Sequence, residues 1–171
     1  MIGIDIVDLN DPLFRERTPR SLQLILSKDD QLIEHPKLFW LLWSAKEAIF
    51  KSYRAELTFN PTQIPVKLEN NNGDIFFSSG KVTGQIFIKD HFILAIAKES
   101  GSGISYRIFE ENTKDWSNTI REKVTHHFTK KGFQISMDRD PIGLPVLAHD
   151  RTPISFTHHG KFGAFAYAKS A

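Results

Sequence analysis

Residues 38–51 read LFWLLWSAKEAIFK, and the reading of this stretch decides the reading of the chain. Leu38 to Trp43 are six apolar residues in a row, enough to bury a helix on every side. Lys46, Glu47 and Lys51 then stand among residues that belong in a core, where an unpaired charge is costly. Pro36 sits where a helix can begin, so the spacing predicts a helix over 36–54. On that helix Trp40, Ser44, Glu47 and Lys51 fall along one stripe. Lys46 lies about 100° round from Glu47, near enough to reach the same pocket edge. One reading of Glu47 and Lys51 is an i,i+4 ion pair where the helix meets water, worth about 0.3–0.5 kcal/mol. The other is a site.

The N-terminal segment MIGIDIVDL favours the site. Its alternation and its Ile and Val content predict a strand. Asp5 interrupts a β-branched run, and an acid in a buried strand calls for a cation, a donor network or a metal. Asp5 and Glu47 together make a hard, oxygen-only donor pair suited to Mg²⁺, with waters and a substrate phosphate completing the octahedron. Lys46 and Lys51 beside them would serve the same phosphate.

The remaining chain reads as α+β, with strands grouped and not alternating with helices. Residues 19–34 suggest two short helices broken near Ser27-Lys28-Asp29. Strands are predicted at 64–69, 74–79, 84–89 and 92–98, the first two joined by the turn sequence NNNGD, which readily supplies positive φ. Ser100 to Gly103 form a flexible junction. A strand at 104–109, a helix at 115–130 and strands at 133–137, 145–148, 153–157 and 163–169 follow. Trp43-Ser44 recurs as Trp116-Ser117, and Ala95-Ile96-Ala97-Lys98 as Ala166-Tyr167-Ala168-Lys169, at offsets of 73 and 71 residues. The chain is therefore expected to be one domain over 1–171, built of two duplicated halves at about 1–100 and 104–171. Each half would pack a helix on a small, mainly antiparallel sheet.

Composition sets the outer bounds. The chain is 40% hydrophobic and 25% charged, as in soluble globular proteins. A net charge of +2 gives no case for nucleic acid, and no apolar run is long enough to span a membrane. The absence of cysteine removes disulfides and thiolate metal sites and suits the cytoplasm. The N-terminus carries early acids and no small-residue cleavage site, so no signal peptide is expected.

GIDIV on a strand, followed by W-S-x-K-E-A-x-x-x-K on a helix, resembles the 4′-phosphopantetheinyl transferases. A third family signature is partly present: Gly143-Leu144-Pro145, then Ser155-Phe156-Thr157-His158-His159-Gly160. The resemblance spans essentially the whole chain. The GID/KEA half leads, as in the short holo-acyl-carrier-protein synthases, but two halves are present, as in the longer surfactin-synthetase-activating type with their order exchanged. An active site between the halves of one chain is thus implied, with no oligomer required.

The resemblance also implies a reaction. Coenzyme A binds between the halves, its phosphopantetheine arm passes to a serine of an apo acyl or peptidyl carrier protein, and adenosine 3′,5′-bisphosphate leaves. By position, Asp5 and Glu47 match the Mg²⁺ ligands, and Glu47, directly or through water, the group that takes the serine proton. Lys51 matches a lysine near the α-phosphate and Lys46 one that contacts the same phosphates. His158 matches a histidine on a coenzyme A phosphate, with Ser155 and Thr157 supplying hydroxyls and Gly143 and Pro145 bordering adenine. The sequence departs from the pattern at Leu144, where a basic residue is expected, and at Val7, where the longer type has an acid. The short type has its acid one position later, as Asp8 is here. For the basic cluster that holds the 3′-phosphate, Arg107, Lys114 and Arg139 are the candidates.

His158-His159 lacks further ligands at zinc spacing. His126-His127 fits a helix face, and Asp138-Arg139-Asp140 before Pro141 fits a turn. The carrier partner is acidic in this family, and Arg15, Arg17 and Arg20 are a candidate docking patch; a solvated loop explains them equally well. Two other classes stay open: a degenerate relative that binds coenzyme A or a carrier without transfer, and an unrelated Mg²⁺-dependent phosphohydrolase using Asp5 and Glu47.

Overall fold

The computed structural model describes residues 1–12, 17–53, 58–99, 101, 103–133 and 135–168. Strand β1 (Ile2–Asp8) is buried along its whole length, which explains a run of Ile and Val with so few polar breaks. A short helix α1 (Pro19–Gln23) follows, capped by the Thr18 side chain, and then helix α2 (Leu38–Tyr53). Strands β2 (Lys67–Asn71), β3 (Asp74–Ser79), β4 (Val82–Ile88) and β5 (Phe92–Glu99) form a meander that returns to β1. The resulting antiparallel sheet has the order β1-β5-β4-β3-β2. Asn72 and Gly73, both at positive φ, turn β2 into β3. This is the two-residue hairpin that the Asn-Gly pair favours.

Apart from α1 and a 3₁₀ turn, the chain then repeats that element order: β6 (Ile104–Glu110), α3 (Trp116–Thr129), β7 (Met137–Arg139), β8 (Pro145–Leu147), β9 (Ile154–His159) and β10 (Phe162–Ala168). Here β10 returns to β6 in a three-stranded sheet, β6-β10-β9, and β7 and β8 pair separately.

Three apolar clusters set the layers. One lies between α2 and the first sheet, with Leu41, Leu42, Ala45 and Ile49 against Val66, Phe77, Ile93 and Ala95. The second joins the two sheets: Ile2, Ile4 and Ile6 meet Leu94, Ala164 and Ala166. The third lies between α3 and the second sheet, with Ile120, Val124 and Phe128 against Phe165 and Tyr167. The order is therefore helix, sheet, sheet, helix, an α+β architecture as expected. Each large side chain buried in these layers contributes about 1.5–3 kcal/mol.

Helix α2 sits unusually close to β1, and Gly3 allows it. A Cβ at Gly3 would lie 1.9 Å from the Ala48 carbonyl oxygen. The glycine of the GID run thus serves helix–strand approach.

Differences from the sequence reading fall in the connections. The second short helix expected within 19–34 does not form; Lys28-Asp29 make a turn, and Gln31 joins β2 through an isolated bridge. The first strand of the meander starts at Lys67, because Pro61–Gln63 form a 3₁₀ turn and Pro65 precedes it. The strand placed at 133–137 is observed at Met137–Arg139, since the chain turns at Gly132.

Candidate active site

Asp5 reaches α2 because strand alternation turns Gly3, Asp5 and Val7 to one face of β1 and Ile2, Ile4 and Ile6 to the other. Asp8 has the opposite parity to Asp5, and its carboxylate goes elsewhere. It accepts hydrogen bonds from the Asn10 and Lys161 backbone N–H groups, at 2.8 and 3.1 Å, tying β1 to the β9–β10 turn. The acid in the short-type position therefore faces away from Asp5.

Among the described residues, the outer edge of β1 pairs with no other backbone. Its Ile4, Ile6 and Asp8 N–H groups donate to Ser155 Oγ (3.1 Å), Thr157 Oγ1 (3.2 Å) and His159 Nδ1 (3.0 Å). The three contacts advance together, so β9 runs parallel to β1 and caps its edge with side chains. Buried N–H groups need such partners. This seam brings the two sheets together beside Asp5.

Lys51 Nζ donates to Asp5 Oδ1 at 2.8 Å, stands 3.7 Å from Glu47 Oε2 and lies 3.5 Å from Thr157 Oγ1. Thr157 Oγ1 also donates to Asp5 Oδ1 at 3.1 Å. Asp5, Glu47, Lys51, Thr157 and His158 line one cleft of about 510 Å³, walled by Trp40 and Trp43. Burial pushes the Glu47 carboxyl above its ordinary value; Lys51 opposes this and Asp5 adds to it. Two carboxylates already converge on one ammonium here, and that donor set fits a hard divalent cation with room for water and phosphate.

His158 stands on the α3 side of β9, stacked on Trp116 with ring centroids 5.4 Å apart and planes at 6°. Trp116 can lie there because Gly163 leaves space; a Cβ would sit 2.5 Å from its ring. Partial desolvation, then the charges of Lys51 and His159, lower the His158 imidazole below its usual value. An anion bound beside this ring would push its pKa back up.

Other expected site residues are placed differently. Lys46 does not reach the cleft. It is fully buried about 140° from Lys51 around α2. There its ammonium donates to Asp30 Oδ2 (2.7 Å) and to the Ile25 and Pro61 carbonyls (both 2.9 Å). Burial chiefly, against the pull of Asp30, lowers its pKa. The expectation that Lys46 shares a pocket edge with Lys51 is thereby corrected: one helical step carried it to the core side. Ser155 Oγ and Thr157 Oγ1 accept from the β1 N–H groups, and the Thr157 proton goes to Asp5, so both hydroxyls help hold the seam.

Pro145 and Leu144 border a smaller hollow of about 200 Å³ that shares Lys51 and Phe156 with the cleft. Gly143, at φ 83, makes the preceding turn, which Asp140 Oδ1 holds by accepting from the Ile142 and Leu144 N–H groups. Arg139 donates to the Gly143 carbonyl within that turn, and Arg107 and Lys114 lie elsewhere on the surface. Arg17 lines the cleft mouth, its guanidinium 4.9 Å from the Trp40 ring and 5.3 Å from Phe39. Arg20 is exposed on α1, and Arg15 lies outside the described residues.

The sequence reading missed Asp30, His159 and the stacking role of Trp116. Trp116 carried a signal as a repeat landmark. Asp30 carried none; His159 stood within the quoted signature, but nothing local showed that its ring would accept from the distant Asp8 N–H.

The family model of the 4′-phosphopantetheinyl transferase superfamily matches residues 1–99 of the 171. The chain belongs to that superfamily. Its chemistry is phosphopantetheinyl transfer, with coenzyme A as the family's donor substrate. No curated protein and no solved structure matches the chain. The matched span contains Asp5, Glu47 and Lys51; His158 and Thr157 enter the same cleft from outside it. No helix among the described residues is long and apolar enough to cross a membrane.

Proposed function

We propose that this chain is a Mg²⁺-dependent 4′-phosphopantetheinyl transferase of the holo-acyl-carrier-protein synthase type. It moves the arm of coenzyme A to a serine hydroxyl of an apo acyl or peptidyl carrier protein, in the cytoplasm. The observation that carries this reading is the meeting of Asp5, Glu47, Lys51 and His158 in one cleft beside the β1–β9 seam. Residues 1–171 act as one domain whose halves share that cleft, so the site is complete within one chain. The shared element order of the two halves supports their duplication. Because β10 runs antiparallel to β9 and β9 runs parallel to β1, β10 ends where β1 begins, which supports an exchanged order.

Asp5 and Glu47 are the residues that would hold Mg²⁺, whose charge would offset that of the pyrophosphate. Glu47, with its raised pKa, takes the proton as the carrier serine oxygen bonds to the phosphorus nearest the pantetheine. The bond from that phosphorus to the adenosine bisphosphate oxygen breaks, and Lys51 balances the charge left on the departing phosphate. His158, fixed by Trp116, hydrogen-bonds a phosphate oxygen. Thr157 holds Asp5 in place.

Incubation with coenzyme A, Mg²⁺ and apo carriers should give the phosphopantetheine adduct by mass spectrometry, and Glu47→Ala and Asp5→Ala should sharply slow its formation in folded protein. A second reading is a relative that binds without transferring, favoured by Leu144 in place of a basic residue and by the engagement of Arg139 within its own turn. Measurable coenzyme A binding with no adduct on any carrier would select it.

A further inference from the structure

Helix α3 and the edge strand β6 enclose a second groove, of about 380 Å³, away from the catalytic cleft. Lys123, His126, Lys130 and Lys131 line one bank and Arg107 the other, over a floor of Phe109 and Phe165. Among the described residues that line it, none is acidic. Glu111 approaches from outside and pairs with Lys123. Lys131 donates to a neutral acceptor, the Tyr167 hydroxyl, at 2.9 Å, and the Arg107 guanidinium to the Tyr106 carbonyl at 3.3 Å.

Most of the positive charge is thus left uncancelled, and neighbouring groups register it. Burial and then the charges of Lys131 and Arg107 lower the His127 imidazole below its usual value. Burial pushes the Tyr167 hydroxyl up, yet the Lys131 hydrogen bond and the same two charges leave it lowered overall.

The shape selects among anions. The α3 cations run along about 11 Å of helix axis and face Arg107 across an aromatic floor, so they do not converge on one point. A single phosphate would satisfy few of them. An elongated surface carrying carboxylates beside apolar residues would match both banks and floor. One aromatic ring links groove to cleft: Phe109, on the groove floor, lies 6.1 Å from Trp116, which stacks on His158 of the cleft.

We propose that the α3–β6 groove docks the acidic face of the carrier protein whose serine enters the cleft; this rests on the transferase reading above. Binding is measured by fluorescence anisotropy with a labelled apo acyl carrier protein whose acceptor serine is replaced by alanine, so that no transfer is needed. The double variant Arg107→Glu, Lys130→Glu alters exposed side chains outside the cleft. It should raise the carrier Kd at least about tenfold, with a weaker salt dependence, and leave coenzyme A affinity unchanged.

Equal carrier binding by wild type and double variant overturns the proposal, as does wild-type binding that is absent or insensitive to salt. Loss of coenzyme A binding in the double variant also overturns it, by assigning the groove to the nucleotide. So does carrier binding lost in Arg20→Glu and kept in the double variant, which would place the dock at α1. Carrier binding that depends on the groove, with no adduct formed on the serine-bearing carrier, would sink the transferase reading alone.

Discussion

Lys46 and Lys51 are the same residue type, five positions apart on one helix, and they have opposite situations. Lys46 is closed in, with three acceptors at 2.7–2.9 Å and no solvent contact. Lys51 is open, its side chain 26% exposed and shared among Asp5, Glu47 and Thr157. The difference teaches that charge in a core helix says little until its partners are known. A saturated ammonium holds loops together. An ammonium between two carboxylates at a cleft has a charge balance that a bound phosphate can rearrange.

The sharpest way to break this contrast lies on the open side. Glu47→Ala should lower transfer by about 10²- to 10⁴-fold, the usual contribution of a positioned proton acceptor, with thermal stability close to wild type. Steady-state transfer and a melting curve decide it together; full activity would remove Glu47 from the chemistry. On the closed side, Lys46→Ala should cost about 3–5 kcal/mol, because Asp30 is left buried without its cation. Urea denaturation measures this, and folded molecules should still transfer at near-wild-type kcat. A large kcat loss at intact stability would return Lys46 to the phosphate site.

A double-mutant cycle sharpens the comparison. Lys46→Met with Asp30→Asn should lose less stability than the two single changes added, with a coupling of about 1–3 kcal/mol. Additive losses would mean that the pair does not act as a unit. Thr157→Val strips a hydroxyl that serves both the Ile6 N–H and Asp5, at an expected cost of about 1–3 kcal/mol together with reduced transfer. Unchanged stability would show that the seam tolerates an unpaired N–H.

The smallest effect concerns His158. Its folded pKa is lowered, by desolvation first and then by Lys51 and His159. The unfolded chain therefore takes up this proton more readily. The stabilising contribution is fully present above about pH 6.5 and is lost as pH falls through the folded value. His158→Asn should flatten the dependence of Tm on pH between 7 and 5, by less than about 2 °C. An identical slope in the variant would mean that another group controls it.

The parts of this protein legible in its sequence are those set by short-range geometry. Helix α2 followed from its apolar run, the β2–β3 hairpin from Asn72-Gly73, and the shared face of Trp40, Glu47 and Lys51 from a 3.6-residue period. Asp5 was visible as an acid in a strand that otherwise belongs in a core. The same geometry misled at Lys46, because the angle round a helix gives direction and not what lies in that direction.

Tertiary structure alone decided what lay there. Asp30 meets Lys46 across a loop, and Ser155, Thr157 and His159 meet β1 from 151 positions away. No local period encodes such contacts; they arise because two apolar sheet faces pack and force their edges together. The packing that hides Ile4 and Ile6 between the sheets also turns Asp5 toward Lys51. The sequence supplied the charged groups, and the seam between the sheets made them one site.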